Sequence, residues 1–167
     1  AEYISMLAPF AKEKHAFLTD GAETLEISSD KHYGDDKEEI EKRLLSEFEA
    51  NYEKDVKLGF TTVGPHRDDL KILINGTEAR VYGSQGQART AALAIKLAEV
   101  EIFQKTAGES PVLILDDVMS ELDLARRRKL LAEIEGIQTI LTCTHTEKVL
   151  FGKTVNKIRI VGGKIKR

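Results

Sequence analysis

Apolar residues recur at helical spacing in two long stretches of the chain. Residues 1–19 place apolar side chains near one face, and Pro9 predicts that this helix bends or breaks. The stretch from Gln87 to about Thr106 is rich in alanine and contains no glycine or proline. Its small side chains predict a long helix that packs closely against its neighbours.

A further helix is predicted to begin near Asp36. This residue is a candidate N-cap, with Glu39 three positions later, and an apolar stripe follows it: Ile40, Leu44, Phe48 and Tyr52. The remaining faces of this helix are acidic and basic, so the stripe needs a neighbour to lie against.

Alternating apolar and polar positions predict short strands in the first half of the chain. Residues 23–29 and 60–63 fit this pattern, as do residues 70–74, which end in Asn75-Gly76. Asn-Gly between two such runs is typical of a type I′ hairpin, with a return strand that carries Ala79 and Val81.

The second half of the chain alternates apolar strands with a charged helix. Residues 112–115 are uniformly apolar, which is typical of a parallel strand covered on both faces. A helix is predicted from about Asp123 to Glu135, a second β-rich run covers 138–143, and residues 157–166 fold back around two glycines. This order predicts an α/β fold with a wound, mostly parallel sheet and flanking helices.

Composition limits the classes of function that need to be considered. Of the 167 residues, 41% are hydrophobic and 32% charged, with a net charge of −3, so bulk electrostatics does not hold the chain on a phosphate backbone. The one cysteine excludes an internal disulfide framework and fits a cytoplasmic protein. No membrane span or signal peptide is predicted. Because the chain starts without methionine, inside a predicted helix, we expect it to be cut from a longer polypeptide; removal of an initiator methionine before Ala1 explains the missing methionine equally well.

Two carboxylates directly follow the buried strand at 112–115. Asp116 and Asp117, which we call the acidic pair, therefore lie where open α/β sheets bind ligands. One such carboxylate can hold Mg²⁺ and its neighbour can orient and deprotonate an attacking water. The alternative is that these acids merely cap the following turn. A two-metal hydrolase is a poor alternative, since few other ligand residues lie near the pair in sequence.

A glycine-containing segment precedes the long alanine-rich helix. Tyr82-Gly83-Ser84-Gln85-Gly86-Gln87 offers a hydroxyl and flexible backbone at a helix N-terminus, where unpaired N–H groups attract anions. The pattern also fits an ordinary Ser-Gly helix start.

Together these segments resemble the C-terminal half of an ABC-type ATPase head, of the SMC-like kind, and in particular the RecF family of bacterial DNA repair proteins. The resemblance covers essentially the whole chain. Its motifs are Gly64-Pro65-His66-Arg67-Asp68-Asp69-Leu70, the segment 82–92, and Leu115-Asp116-Asp117 with Ser120-Glu121-Leu122-Asp123. The resemblance implies part of a helical arm over 1–58 and part of the ATPase head over 59–167.

The same resemblance implies a role for each motif residue. Ser84, Gln85, Gly86 and Gln87 would form the nucleotide-binding signature motif, which we call the signature loop. Asp116 would be the Walker B aspartate that binds Mg²⁺, and Asp117 the catalytic acid. Asp123 would contact nucleotide from the D-loop. His145 would lie near the switch-histidine position as a sensor of the γ-phosphate; the alternative is a structural histidine in a loop. Most ABC proteins have Ser-Gly-Gly-Gln in the signature and many have glutamate at the catalytic position, whereas this chain has Ser-Gln-Gly-Gln and Asp117.

A phosphate cradle of the form G-x-x-x-x-G-K-[ST] does not occur in the sequence. Its two Gly-Lys pairs, Gly152-Lys153 and Gly163-Lys164, do not stand in this pattern. We therefore expect the chain to supply its signature loop to ATP held by an opposing head, in a homodimer, and not to hydrolyse ATP alone. The alternative is a non-catalytic interaction module that contributes a dimer or partner interface.

Partners follow from the resemblance and not from a residue pattern. The partners that it implies would be DNA, RecR and RecO, with RecA loaded indirectly at gapped DNA. Three further features are open between functional and structural roles. His66 and Arg67 could touch nucleotide or DNA, or Arg67 could form a clamp with Asp68 or Asp69. The run at 126–129 fits a solvated helix face, or else a contact with DNA or at an interface.

Overall fold

The computed structural model describes residues 2–30, 36–144 and 155–166. These residues form mixed α and β structure, and the chain divides into two compact units, Ala1–Ile102 and Phe103–Arg167. The helices are α1 (Glu2–Thr19), α2 (Lys37–Leu58), α3 (Ala79–Tyr82), α4 (Gln85–Ala107) and α5 (Leu124–Glu133). The strands are β1 (Leu25–Ser29), β2 (Leu70–Ile74), β3 (Thr77–Glu78), β4 (Leu113–Leu115), β5 (Thr139–Leu141), β6 (Arg159–Val161) and β7 (Lys164–Lys166).

An antiparallel three-stranded sheet organises the first unit. Strand β1 pairs with β2 in the register Leu25↔Ile74 and Ile27↔Ile72, and β2 pairs with β3. Leu25 and Ile27 are buried while Glu26 between them is exposed, so β1 shows the predicted alternation. Helix α1 contacts β1 and buries one face, formed by Leu7, Ala11, His15 and Leu18.

The turn between β2 and β3 confirms the hairpin prediction. Asn75 and Gly76 both have positive φ, at 51° and 76°, as a type I′ turn requires. Asn75 also accepts a hydrogen bond from the Thr24 backbone N–H through its Oδ1, at 2.8 Å. The return strand is shorter than predicted, because buried Ala79 begins a helical turn that accepts the Gly83 N–H. The prediction of Ala79 and Val81 in a strand was therefore wrong.

Helix α2 begins and ends as its capping residues predict. The Asp36 carboxylate accepts the Glu39 N–H at 2.8 Å, and Gly59, with φ of 74°, donates to the Asp55 carbonyl at the other end. The strand predicted over 60–63 is wrong. That segment pairs with no strand among the described residues, and the Asp55 carboxylate accepts the Thr62 N–H and hydroxyl instead.

The second unit contains the predicted strand–helix–strand arrangement. Strands β4 and β5 pair in parallel with Ile114 opposite Ile140, and α5 lies between them in sequence. Parallel pairing among the described residues is limited to these two strands. Leu113 and Leu115 are buried as expected, but Ile114 is 67% exposed, so β4 is covered on one face only. Strands β6 and β7 form an antiparallel hairpin around Gly162 and Gly163, as predicted.

None of the helices in the described part of the chain is both long enough and apolar enough to span a membrane.

Candidate functional site

Ser84 and Gln87 cap the N-terminus of α4 reciprocally. The Gln87 N–H donates to Ser84 Oγ at 3.2 Å, and the Ser84 N–H donates to Gln87 Oε1 at 2.9 Å. This is a capping box, in which two backbone donors that the helix leaves unpaired each find a side-chain acceptor. Ser84 Oγ is thus an acceptor within the loop, and no described residue takes its hydroxyl proton. That proton is available to an anion in front of α4.

The two glycines of this region have different structural requirements. A Cβ on Gly83 would lie 2.4 Å from the Ala79 carbonyl oxygen, so the chain cannot take this course with any larger residue. A Cβ on Gly86 would meet only Ser84 Oγ, at 3.9 Å. The fold therefore explains Gly83 but not Gly86, which lies exposed in the first turn of α4. An open first turn lets a phosphate approach the backbone closely.

Thr142 ties the acidic pair to the end of the neighbouring strand. Its hydroxyl donates to Asp116 Oδ1, and Thr142 Oγ1 accepts the Asp117 N–H at 3.0 Å. The Thr142 N–H in turn donates to the Leu115 carbonyl at 3.0 Å, which continues the ladder between β4 and β5. These contacts leave Asp116 Oδ2 without a hydrogen bond to a described residue.

Asp117 has a backbone conformation that few non-glycine residues adopt. Its φ is 50°, in the left-handed region. Its N–H is held by Thr142, and its carbonyl accepts both the N–H and the hydroxyl of Ser120, the latter at 2.9 Å. The exposed carboxylate is therefore carried on a fixed turn. Strain of this kind persists where surrounding contacts determine it, and it is common at functional sites.

The donor set at the acidic pair fits a magnesium ion that also binds phosphate. In the part of the chain that the structure describes, no group of three or more His, Cys, Asp or Glu residues could hold a metal by itself. Asp116 offers one carboxylate oxygen beside a hydroxyl, and Mg²⁺ typically takes one or two carboxylates and completes its shell with water and substrate phosphates. A two-metal centre does not fit this set.

Asp123 caps helix α5. Its Oδ1 accepts the Arg126 N–H at 2.9 Å, and its Oδ2 pairs with Arg126 Nη1 at 2.7 Å. The pKa of Asp123 lies below its ordinary value, chiefly because of the Arg126 N–H and also through the Arg126 charge, while burial opposes the shift. Both oxygens have a structural partner, and the predicted nucleotide contact of Asp123 stays a prediction.

The remaining predicted residues have different placements. His145 lies outside the described residues. Arg67 donates through Nε to the Thr61 carbonyl at 3.1 Å, and its guanidinium lies 4.9 Å from the centre of the Phe60 ring. Asp69 pairs with Arg80, not with Arg67. In the run at 126–129, Arg126 pairs with Asp123 and Arg127 donates to the Leu122 carbonyl at 2.7 Å, so two of these cations hold the start of α5.

Sequence reasoning missed two residues that hold the motifs in place. Thr142 contacts the acidic pair, and the Glu23 carboxylate accepts a hydrogen bond from Gln87 Nε2 at 2.9 Å. Thr142 could have been found, because parallel strands bring their carboxyl ends to the same edge and Thr142 follows β5 as the acidic pair follows β4. No sequence signal pointed to Glu23.

The fold and its motifs define the C-terminal half of an ABC-type ATPase head. The chain has mixed α/β structure with a parallel strand pair, an acidic pair at the end of β4 and a serine-capped helix after a glycine. No family model matches the sequence.

Curated relatives give the family. The DNA replication and repair protein RecF of Ruminiclostridium cellulolyticum is 44% identical over 166 residues, which cover 96% of this chain and 45% of that protein. RecF of Clostridium acetobutylicum is 44% identical over 167 residues, covering 98% and 46%, and RecF of Lachnoclostridium phytofermentans is 49% identical over 146 residues, covering 82% and 40%. The chain belongs to the RecF family and corresponds to its C-terminal part.

Solved structures agree with this assignment. The recombination mediator protein RecF with ATPrS, in the RecFOR pathway, matches with a TM-score of 0.76 and 36% identity, over 98% of this chain and 44% of that one. RecF with ATP matches with a TM-score of 0.74 and 38% identity, over 99% and 44%. The chain thus spans less than half the length of the relatives it matches.

Proposed function

We propose that this chain is the part of a RecF-type DNA repair ATPase that completes the nucleotide site of an opposing head. The observation that carries the proposal is the capping box of the signature loop, which leaves the Ser84 hydroxyl proton and the first turn of α4 open to an anion. Support for ATP as that anion comes from the solved RecF structures, which are named with ATP and ATPrS.

The residues have distinct tasks in this proposal. The Ser84 hydroxyl and the α4 N-terminus stabilise the γ-phosphate of ATP held by the other head, with Gln85, Gly86 and Gln87 completing the loop. Asp116 would hold Mg²⁺ through its carboxylate, and the ion would supply positive charge that neutralises the phosphates. Asp117 orients and deprotonates the attacking water, and its short side chain suits slow turnover. Asp123 and His145 contact nucleotide from the D-loop and the switch position.

ATP-driven dimerisation is the step that this arrangement serves. The sequence contains no phosphate cradle, so a head built only from this chain does not hold ATP tightly. In the complete protein, ATP closes two heads on DNA and hydrolysis releases them. RecR and RecO, with RecA loaded indirectly at gapped DNA, are the proposed partners in the cytoplasm. The solved structures are named as RecF in the RecFOR pathway, which supports RecR and RecO as the proposed partners.

Replacing Ser84 in the full-length protein tests the proposal. We expect Ser84→Ala to lower ATP hydrolysis about a hundredfold, since it removes a donor to the transition-state charge, with Ser46→Ala on exposed α2 as the matched control. Hydrolysis by Ser84→Ala at the rate of the control would instead favour the alternative, a non-catalytic interaction module.

A further inference from the structure

The Gln87 side chain connects the signature loop to Glu23, whose carboxylate lies against the buried side chain of His15. Its Oε1 accepts the Ser84 N–H at 2.9 Å, and its Nε2 donates to Glu23 Oε1, also at 2.9 Å. The other Glu23 oxygen, Oε2, is buried and lies 3.7 Å from Nε2 of His15. The chain of contacts thus runs from α1, through Glu23 in the turn between α1 and β1, to the first turn of α4.

The hydrogen-bonding chemistry of Glu23 determines the orientation of the Gln87 amide. A carboxylate only accepts hydrogen bonds, so Glu23 selects the NH₂ end of the Gln87 amide. The carbonyl end must then face the Ser84 N–H, which is the orientation that the capping box needs. A neutral hydrogen-bonding group at position 23 would accept or donate, and would not distinguish between the two ends of the amide.

Burial strengthens the hydrogen bond between the Gln87 amide and the Glu23 carboxylate. The His15 side chain is fully buried and the Glu23 side chain is 19% exposed, so water competes little for the carboxylate. Hydrogen bonds to charged groups with little water nearby are stronger than exposed neutral ones. Helix α1 has a second link to α4, since Lys14 pairs with Glu101 at 3.0 Å. The signature loop is therefore held from α1 at one end of α4, while a separate ion pair links the two helices further along.

We propose that Glu23 is a positioning residue for the signature loop, fixing the Gln87 amide so that Ser84 presents its hydroxyl proton to the nucleotide. The inference rests on the proposed function of that loop. Glu23 does not touch nucleotide in this account, and acts only through Gln87. The buried His15 keeps the carboxylate in place and makes the position of the loop depend on α1.

A reciprocal exchange of the two side chains tests the inference in the full-length protein. Gln87→Glu alone places two carboxylates side by side, which repel each other. Glu23→Gln alone no longer fixes the orientation of the Gln87 amide. We expect each single variant to lower kcat about tenfold. In the double variant, the amide at position 23 donates to the carboxylate at position 87, and this carboxylate still accepts the Ser84 N–H. We expect kcat to return to within about threefold of the wild type.

Further measurements separate positioning from other roles. Glu26→Gln, on the exposed face of β1, is the matched control and should leave kcat unchanged. The affinity of a single head for ATP, measured at protein concentrations too low for dimerisation, should stay constant in all variants, because the loop acts on the nucleotide of the opposing head. Melting temperatures are recorded for each variant.

Two results would overturn the inference. A double variant as slow as Gln87→Glu would mean that Gln87 contacts the nucleotide itself. If the melting temperature falls in the single variants and recovers in the double variant together with kcat, then Glu23 only stabilises the fold. Ser84→Ala, in the same assay, tests the proposed function separately. If that variant is slow and the exchange does not restore activity, only the role of Glu23 fails.

Discussion

The hydroxyl of Thr142 donates to the carboxylate of Asp116, although the two residues follow different strands. The same oxygen accepts the backbone N–H of Asp117. One small side chain thus fixes both members of the acidic pair, because parallel pairing of β4 and β5 brings the ends of the two strands together. The position of the acidic pair therefore depends on β5 as well as on β4, the strand that it follows.

Replacement of Thr142 should therefore change catalysis more than folding. Thr142→Val keeps the shape of the side chain but removes both hydrogen bonds, and we expect hydrolysis by the full-length protein to fall about tenfold. Thr142→Ser keeps the hydroxyl and should retain activity within about threefold. Steady-state kinetics at varied Mg²⁺ concentration checks this. Equal activity of the two variants would show that the hydroxyl does not position the acidic pair.

Asp117→Asn should separate ATP binding from hydrolysis. The amide keeps the size of the side chain but is a poor base, so hydrolysis should fall about a hundredfold while ATP binding and dimerisation persist. Light scattering with ATP measures dimerisation, and phosphate release measures turnover. Undiminished phosphate release would remove Asp117 from the catalytic role.

The two glycines that flank Ser84 should respond differently to alanine. Gly83→Ala places a methyl group against the Ala79 carbonyl, and we expect a loss of about 1–3 kcal/mol in unfolding free energy. Gly86→Ala has room and lies in a helix, so it should fold at least as well as the wild type. If a phosphate approaches Gly86 closely, its alanine variant should hydrolyse ATP more slowly. Thermal melts and kinetics on both variants check these expectations. A Gly83→Ala variant as stable as the wild type would contradict the expected loss in unfolding free energy.

Asp123 should stabilise α5 in a pH-dependent way. Its pKa is lowered in the folded state, so its contribution is present above the ordinary value of 3.8 and is lost as the pH falls through the lower, folded-state pKa. Asp123→Ala should cost about 1 kcal/mol at neutral pH as an N-cap substitution. Hydrogen exchange in the first turn of α5 measures the loss, with exposed Glu109→Ala as the control. A carboxyl titration midpoint at or above 3.8 would contradict the capping role.

Local signals were sufficient to predict some elements and insufficient for others. The Asp36 cap and the Asn75-Gly76 turn were predicted correctly, since each depends on residues within a few positions. The strand expected over 60–63 does not form, because an apolar run says nothing about whether a partner strand exists. The contacts of Thr142 with Asp116 and of Gln87 with Glu23 join residues 26 and 64 positions apart. A predicted parallel pairing of the two strands could have suggested the first pair, whereas only the fold reveals the second.

Mixing two inactive full-length variants tests most directly whether the signature loop acts on the nucleotide of an opposing head. Ser84→Ala and Asp117→Asn damage different halves of a shared site. Half of the dimers in an equimolar mixture combine one of each, and one of their two sites then carries both intact halves. In a symmetric dimer this predicts about a quarter of the wild-type ATPase rate. A mixture no faster than either variant alone would contradict the account.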